Sequence, residues 1–115
     1  MDKLIENKLN ELFCSLVSDV LDELGYANQA FPHYIRPLDE NLRLIGRART
    51  MLYTDIYERP RKNENQYELE IKLVDSLQQG DVAVAACGSS NRIAPWGGLL
   101  STAARVNKAN GAIMD

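Results

Sequence analysis

Two cysteines and one histidine in 115 residues leave little material for a metal centre or a disulfide framework. Cys14 and Cys87 lie far apart, outside any Cys-x-x-Cys spacing, and His33 sits in a proline-bounded loop with no Cys or Asp at ligand spacing. They read as buried or half-buried thiols in a reducing compartment and a loop-packing imidazole. The chain also lacks any apolar run long enough to span a bilayer. Its start, Met1-Asp2-Lys3-Leu4-Ile5-Glu6-Asn7-Lys8, has no signal-peptide core, so a cytoplasmic address is expected. Positive charge is scarce as well: the net charge is −3, and no general field draws in a phosphate backbone. The basic cluster Arg59-Pro60-Arg61-Lys62 is interleaved with Glu58, Glu64 and Glu68 and reads as a solvated loop rather than an RNA contact.

What remains is an ordinary globular composition, 45% hydrophobic and 25% charged. A chain of this length makes at most one domain and buries only about two thirds of its unfolded surface, so an oligomer is expected to share the load. Leu4, Ile5, Leu9, Leu12 and Phe13 predict a short amphipathic helix over Leu4 to Phe13. Leu16, Val17, Val20, Leu21 and Leu24 predict a second helix that stops at Gly25. From Tyr26 to Asn41 the prolines and asparagines describe a long surface connection. Leu42 to Thr54 alternates as a strand would, and Gly46 within it marks a bulge or a close backbone approach. Tyr67, Ile71, Val74 and Leu77 form a helical stripe halted by Gly80.

The last third carries the strongest pattern. Asp81 to Ala86 is a small-residue apolar run of the kind covered on both faces. Leu99 to Asn110 predicts a helix with Gly111 as its stop, and Ala112-Ile113-Met114-Asp115 begins another strand. That is a β-α-β unit with parallel strands. Ligands of such folds gather beyond the carboxyl ends of the strands, which here means the loop Cys87 to Gly98 and the start of the Leu99 helix. Free N–H groups at a helix start accept a small anion, and Gly97 and Gly98 remove the bulk that would screen them. The same glycines equally suit a tight turn with close helix–sheet packing. No Gly-x-Gly-x-x-Gly or P-loop pattern is present, and Ser89 and Ser90 lack a nucleophile-elbow context. Asp19 and Asp22 on the second helix are expected to face solvent.

Several blocks then stand in one order: Ser18-Asp19-Val20-Leu21-Asp22-Glu23-Leu24-Gly25, Ile45-Gly46-Arg47-Ala48, Gly80-Asp81-Val82-Ala83-Val84, Trp96-Gly97-Gly98-Leu99-Leu100-Ser101-Thr102-Ala103-Ala104 and Gly111-Ala112-Ile113-Met114-Asp115. In these the chain resembles the RraA-like family. That family includes regulators of ribonuclease E activity and 4-hydroxy-4-methyl-2-oxoglutarate/oxaloacetate aldolases, and many members carry a demethylmenaquinone methyltransferase label. The resemblance runs from about Leu12 to Asp115. It implies an α/β fold, an α/β/α sandwich of the swivelling phosphohistidine-domain type, assembled as a homotrimer or hexamer. It implies a subunit-interface site in which a pyruvate-like keto acid rests on Gly97, Gly98, Leu99 and Leu100. In aldolase members a divalent metal, magnesium or manganese, polarises the keto and carboxylate oxygens.

Two departures shape the expectation. Aldolase members have an acid where this chain has Gly98, and the family's Arg-Asp pair falls just past Asp115. The expected domain is therefore a single RraA-like domain over residues 1–115, truncated at its C-terminus, binding no metal and turning over no substrate alone. Its parent is read as a metal-dependent aldolase or decarboxylase of a short keto acid. The alternative is a non-catalytic regulator that binds a protein partner such as a ribonuclease.

Overall fold

A computed structural model describes residues 3–88 and 90–115. The chain divides into two compact units, Met1–Ile45 and Gly46–Asp115. In the first, α1 (Lys3–Glu11) and α2 (Cys14–Glu23) follow one another with a break at Leu12 and Phe13. The predicted first helix thus ends two residues early. Arg43 explains the break: its guanidinium donates to the carbonyl of Leu9 at 2.9 Å and to that of Leu12, closing the carbonyl end of α1. Gly25 ends α2 as predicted. At φ +85° it sits in the left-handed region, while its N–H reaches the Asp22 carbonyl and the Tyr26 N–H reaches that of Leu21. Residues 26–41 carry no helix or strand and are nearly all exposed, as a surface connection would be.

The second unit is a mixed α/β layer. Its strands β1 (Arg47–Leu52), β2 (Asp81–Ala86) and β3 (Gly111–Met114) lie side by side in that order, all parallel. The helix α3 (Glu68–Asp75) connects the first pair and α4 (Gly98–Val106) the second. Both helices pack on one face of the sheet, where Val74, Leu77, Ala83 and Ala104 form the buried core. Small side chains on β2 let the helices approach closely, and Met51, Leu100 and Ala112 pack against the rim.

Four boundaries differ from the sequence reading, each for a local reason. β1 spans Arg47–Leu52 rather than Leu42 to Thr54, because a strand needs a ladder and β2 offers six partners, Arg47↔Asp81 through Leu52↔Ala86. Just before it, Gly46 makes the close approach anticipated for it. A Cβ there would press on Val82 Cγ2 and lie 2.6 Å from the Gly80 carbonyl oxygen. α3 stops at Asp75, where Ser76 Oγ donates to the Leu73 carbonyl at 2.7 Å. Gly80 instead occupies the third position of a turn closed by Asp81 N–H to the Gln78 carbonyl, at φ +84°.

α4 ends at Val106, and the residue in the left-handed region is Lys108 at φ +59°, not Gly111, which opens β3. Lys108 and Ala109 donate back to Arg105 and Ala104, and Gly80 N–H donates to the Lys108 carbonyl, so bonds on both sides hold the strained lysine. β2 is also less covered than its apolar run predicts. Asp81, Val82, Ala83 and Ala85 are buried, Val84 is half-buried and Ala86 is exposed. On the face away from the helices, Ala48, Thr50 and Leu52 of β1 are exposed too.

Candidate functional site

Parallel strands deliver their carboxyl ends to one edge, and α4 starts there because it follows β2. Tyr53 and Asp55 follow β1, Cys87 and Ser90 follow β2, and Asp115 follows β3. Side chains knit this edge together. Ser90 Oγ donates to Asp55, with 3.1 and 3.0 Å to the two carboxylate oxygens. Asp115 Oδ1 accepts the Cys87 N–H at 2.5 Å, and the Asp115 N–H donates to the Ala85 carbonyl at 3.3 Å. The Tyr53 hydroxyl stands 2.8 Å from Glu70 Oε1 and 3.1 Å from the Pro95 carbonyl oxygen.

Beside this edge the Trp96–Leu100 segment enters α4. Gly97 is the N-cap, with extended backbone at φ −160° and ψ −173°, and among the described residues no side chain caps the helix. Its carbonyl accepts the Ser101 N–H, which leaves the N–H groups of Gly98, Leu99 and Leu100 as the first-turn donors of α4. Gly97 and Gly98 have nothing within 4 Å of where a Cβ would stand, and neither has positive φ. Neither conformation nor packing therefore requires glycine at these positions. Leu99 is 89% exposed, while Leu100 packs against the core. Trp96 Nε1–H donates to Ser101 Oγ at 2.9 Å, pinning the turn to the helix that it opens.

Two groups of the edge, the Tyr53 phenol and the Cys87 thiol, are held in their neutral forms. Burial first, then the hydrogen bond to Glu70 and its charge, then Cys87, push the Tyr53 hydroxyl far above the usual phenol range. Burial, then the Asp115 carboxylate, pushes the Cys87 thiol up. A thiol held protonated is a poor nucleophile, so Cys87 contributes packing and a backbone donor.

Of the other residues singled out from sequence, Cys14, Asp19, Asp22 and His33 belong to the first unit. Cys14 is exposed, not buried or half-buried as expected, and His33 packs edge-on against Tyr34 at 5.9 Å between centroids. Asp19 and Asp22 are exposed on α2, as expected. Ser89 lies outside the described residues. Arg59 and Arg61 border a concavity of about 560 Å³ together with Glu58, Glu64 and Asn65, on the β1–α3 connection rather than at α4. Acids and bases alternate around it, in keeping with a solvated loop. Among the described residues no cluster of three or more His, Cys, Asp or Glu could hold a metal ion. Tyr53, Asp55 and Glu70 were not anticipated from sequence. The position of Tyr53 and Asp55 just past the end of β1 is the signal that could have found them.

Comparison with known proteins adds the following. A family model described as RraA-like, Aldolase/RraA, matches residues 14–115. A solved structure described as novel cellulases from microbes associated with the gut ecosystem is similar in fold, with a TM-score of 0.87 and 24% identity. The likeness covers 100% of this chain and 50% of that one, so the chain spans half the length of the structure it matches. No curated protein matches it. Among the described residues no helix is long and apolar enough to cross a membrane.

Proposed function

The chain belongs to the RraA-like family, and from that premise we propose that it binds a short keto acid through the first-turn amides of α4. The carboxylate rests on the N–H groups of Gly98, Leu99 and Leu100, where the helix dipole and charge-assisted hydrogen bonds both favour an anion. One observation carries this reading. Two glycines stand at an uncapped helix start although neither the backbone conformation nor the surroundings need them. Bare backbone there gives a ligand access to the donors, which a side chain would obstruct.

In this reading the fold is the α/β/α sandwich of the swivelling phosphohistidine-domain type, the assembly is a trimer or a pair of trimers, and the protein works in the cytoplasm. The parent activity is aldol cleavage or decarboxylation of a 4-hydroxy-4-methyl-2-oxoglutarate- or oxaloacetate-like acid, with magnesium or manganese supplied to a site these residues do not build. The chain's own contribution is to bind and orient the carboxylate. A second reading is favoured by Gly98 itself. Aldolase members have an acid at that position, and with glycine there instead the open start of α4 serves a non-catalytic regulator of a ribonuclease.

Titrating the 15N-labelled chain with oxalate, a non-reactive mimic of the keto acid, tests the binding step. Shifts confined to the amides of residues 97–101 are expected; shifts elsewhere, or none, overturn it. Oxaloacetate decarboxylation with added magnesium or manganese tests the metal site: no turnover is expected of this chain alone, and turnover abolished by a chelator would show that its residues do build one.

A further inference from the structure

Tyr53 has one phenolic proton and two acceptors for it. Glu70 Oε1 lies 2.8 Å from the hydroxyl and the Pro95 carbonyl oxygen 3.1 Å. Tyr53, Glu70 and Pro95 are all half-buried, so water does not freely replace the bond that loses. The Glu70 carboxylate is the nearer acceptor and takes the larger share of the bond, and the Pro95 carbonyl keeps the weaker share.

Pro95 leads directly into the open start of α4. Trp96 follows it, bound through its indole to Ser101 in the first turn of α4, and Gly97 and Gly98 come next. The two glycines add no side-chain packing of their own, so the turn is held by Tyr53 at Pro95, by Trp96, which bonds to Ser101 and packs against the core, and by Thr102 Oγ1, which donates to the Gly98 carbonyl. We propose that Tyr53 is the positioning residue of this turn and that Glu70 governs it by competing for the phenolic proton. Resting on the anion-binding reading, the arrangement makes Glu70 a restraint on that site: a neutral donor at position 70 would bond to the Tyr53 oxygen and release its proton to Pro95.

Two isosteric variants of the full chain give opposite signs. Tyr53→Phe removes the tether, and Glu70→Gln supplies the neutral donor. The readout without ligand is hydrogen exchange at the Trp96 indole N–H and the Ser101 amide, with the Ala83 amide reporting that the sheet is intact. Exchange is expected to be about twofold faster in Tyr53→Phe, which loses the weaker share, and about threefold slower in Glu70→Gln, the two together spanning one ordinary hydrogen bond. Oxalate affinity follows in the same sense, weaker in the first variant and tighter in the second. Exchange that moves the same way in both variants, or in neither, overturns the proposal whether or not oxalate binds. Opposite shifts in exchange with no oxalate binding to the wild type uphold the tether and remove the ligand reading instead.

Discussion

Val74, Leu77, Ala83 and Ala104 close a core in Gly46–Asp115, whereas no described residue of Met1–Ile45 is buried. Raw hydrophobicity does not account for the contrast, because α1 and α2 carry Leu4, Ile5, Leu16 and Val20, and all of these are exposed. The difference lies in what each helix has to lie on. α3 and α4 share a three-stranded platform whose small side chains admit close approach, and they bury Val74 and Ala104 in its core. Helices of nine or ten residues without such a platform are marginal on their own, however amphipathic. A second contrast sits within α4. Its carbonyl end is closed by Lys108 and Ala109, and its amide end is open at Gly97.

Both contrasts can be broken experimentally. Gly46→Ala should be the most damaging change, costing about 3 kcal/mol in urea unfolding, because its Cβ meets backbone that cannot yield. Val74→Ala should cost about 2 kcal/mol, and Leu16→Ala in α2 well under about 1, since the first leaves a cavity and the second does not. Equal costs for the two would erase the distinction between the units. Lys108→Gly should raise stability by about 1 kcal/mol by relieving its left-handed backbone while keeping the helix end closed.

Alkaline pH tests the carboxyl edge. Tyr53 and Cys87 hold their protons more tightly folded than unfolded, so their contribution is complete at neutral pH. As pH rises past about 8.5 for the thiol and about 10 for the phenol, the unfolded chain releases protons that the folded one keeps. The melting temperature should fall through that window, and Tyr53→Phe should flatten the upper part. An unchanged profile would show that the phenol is not held as the structure has it. The smallest effect on stability belongs to Gly97→Ser. A capping hydroxyl should stabilise by a few tenths of a kcal/mol and weaken oxalate about tenfold, because it takes the donors the anion would use. Stabilisation with unchanged oxalate affinity would place the anion elsewhere.

Periodicity was enough to locate all four helices described here and the β-α-β unit that ends the chain, because apolar spacing records which face is buried. Gly25 was legible as a stop, since its positive φ is a property of the residue itself. Lys108 was not, because a lysine enters that conformation only when neighbours such as Gly80 hold it there. At the site, the glycine pair and helix start of Gly97 to Leu100 could be read directly, being contiguous. Tyr53, Glu70 and Pro95 could not, because they come from three separate segments.

By itself, then, the sequence determined the element types, their order, the family and the glycine-bared entry to α4, all of which follow from local spacing and side-chain chemistry. Only the tertiary structure decided where β1 begins, which face of the sheet the helices cover, and that a single phenolic proton stands between Glu70 and Pro95. Those depend on which distant segments meet, and no local pattern encodes a distance.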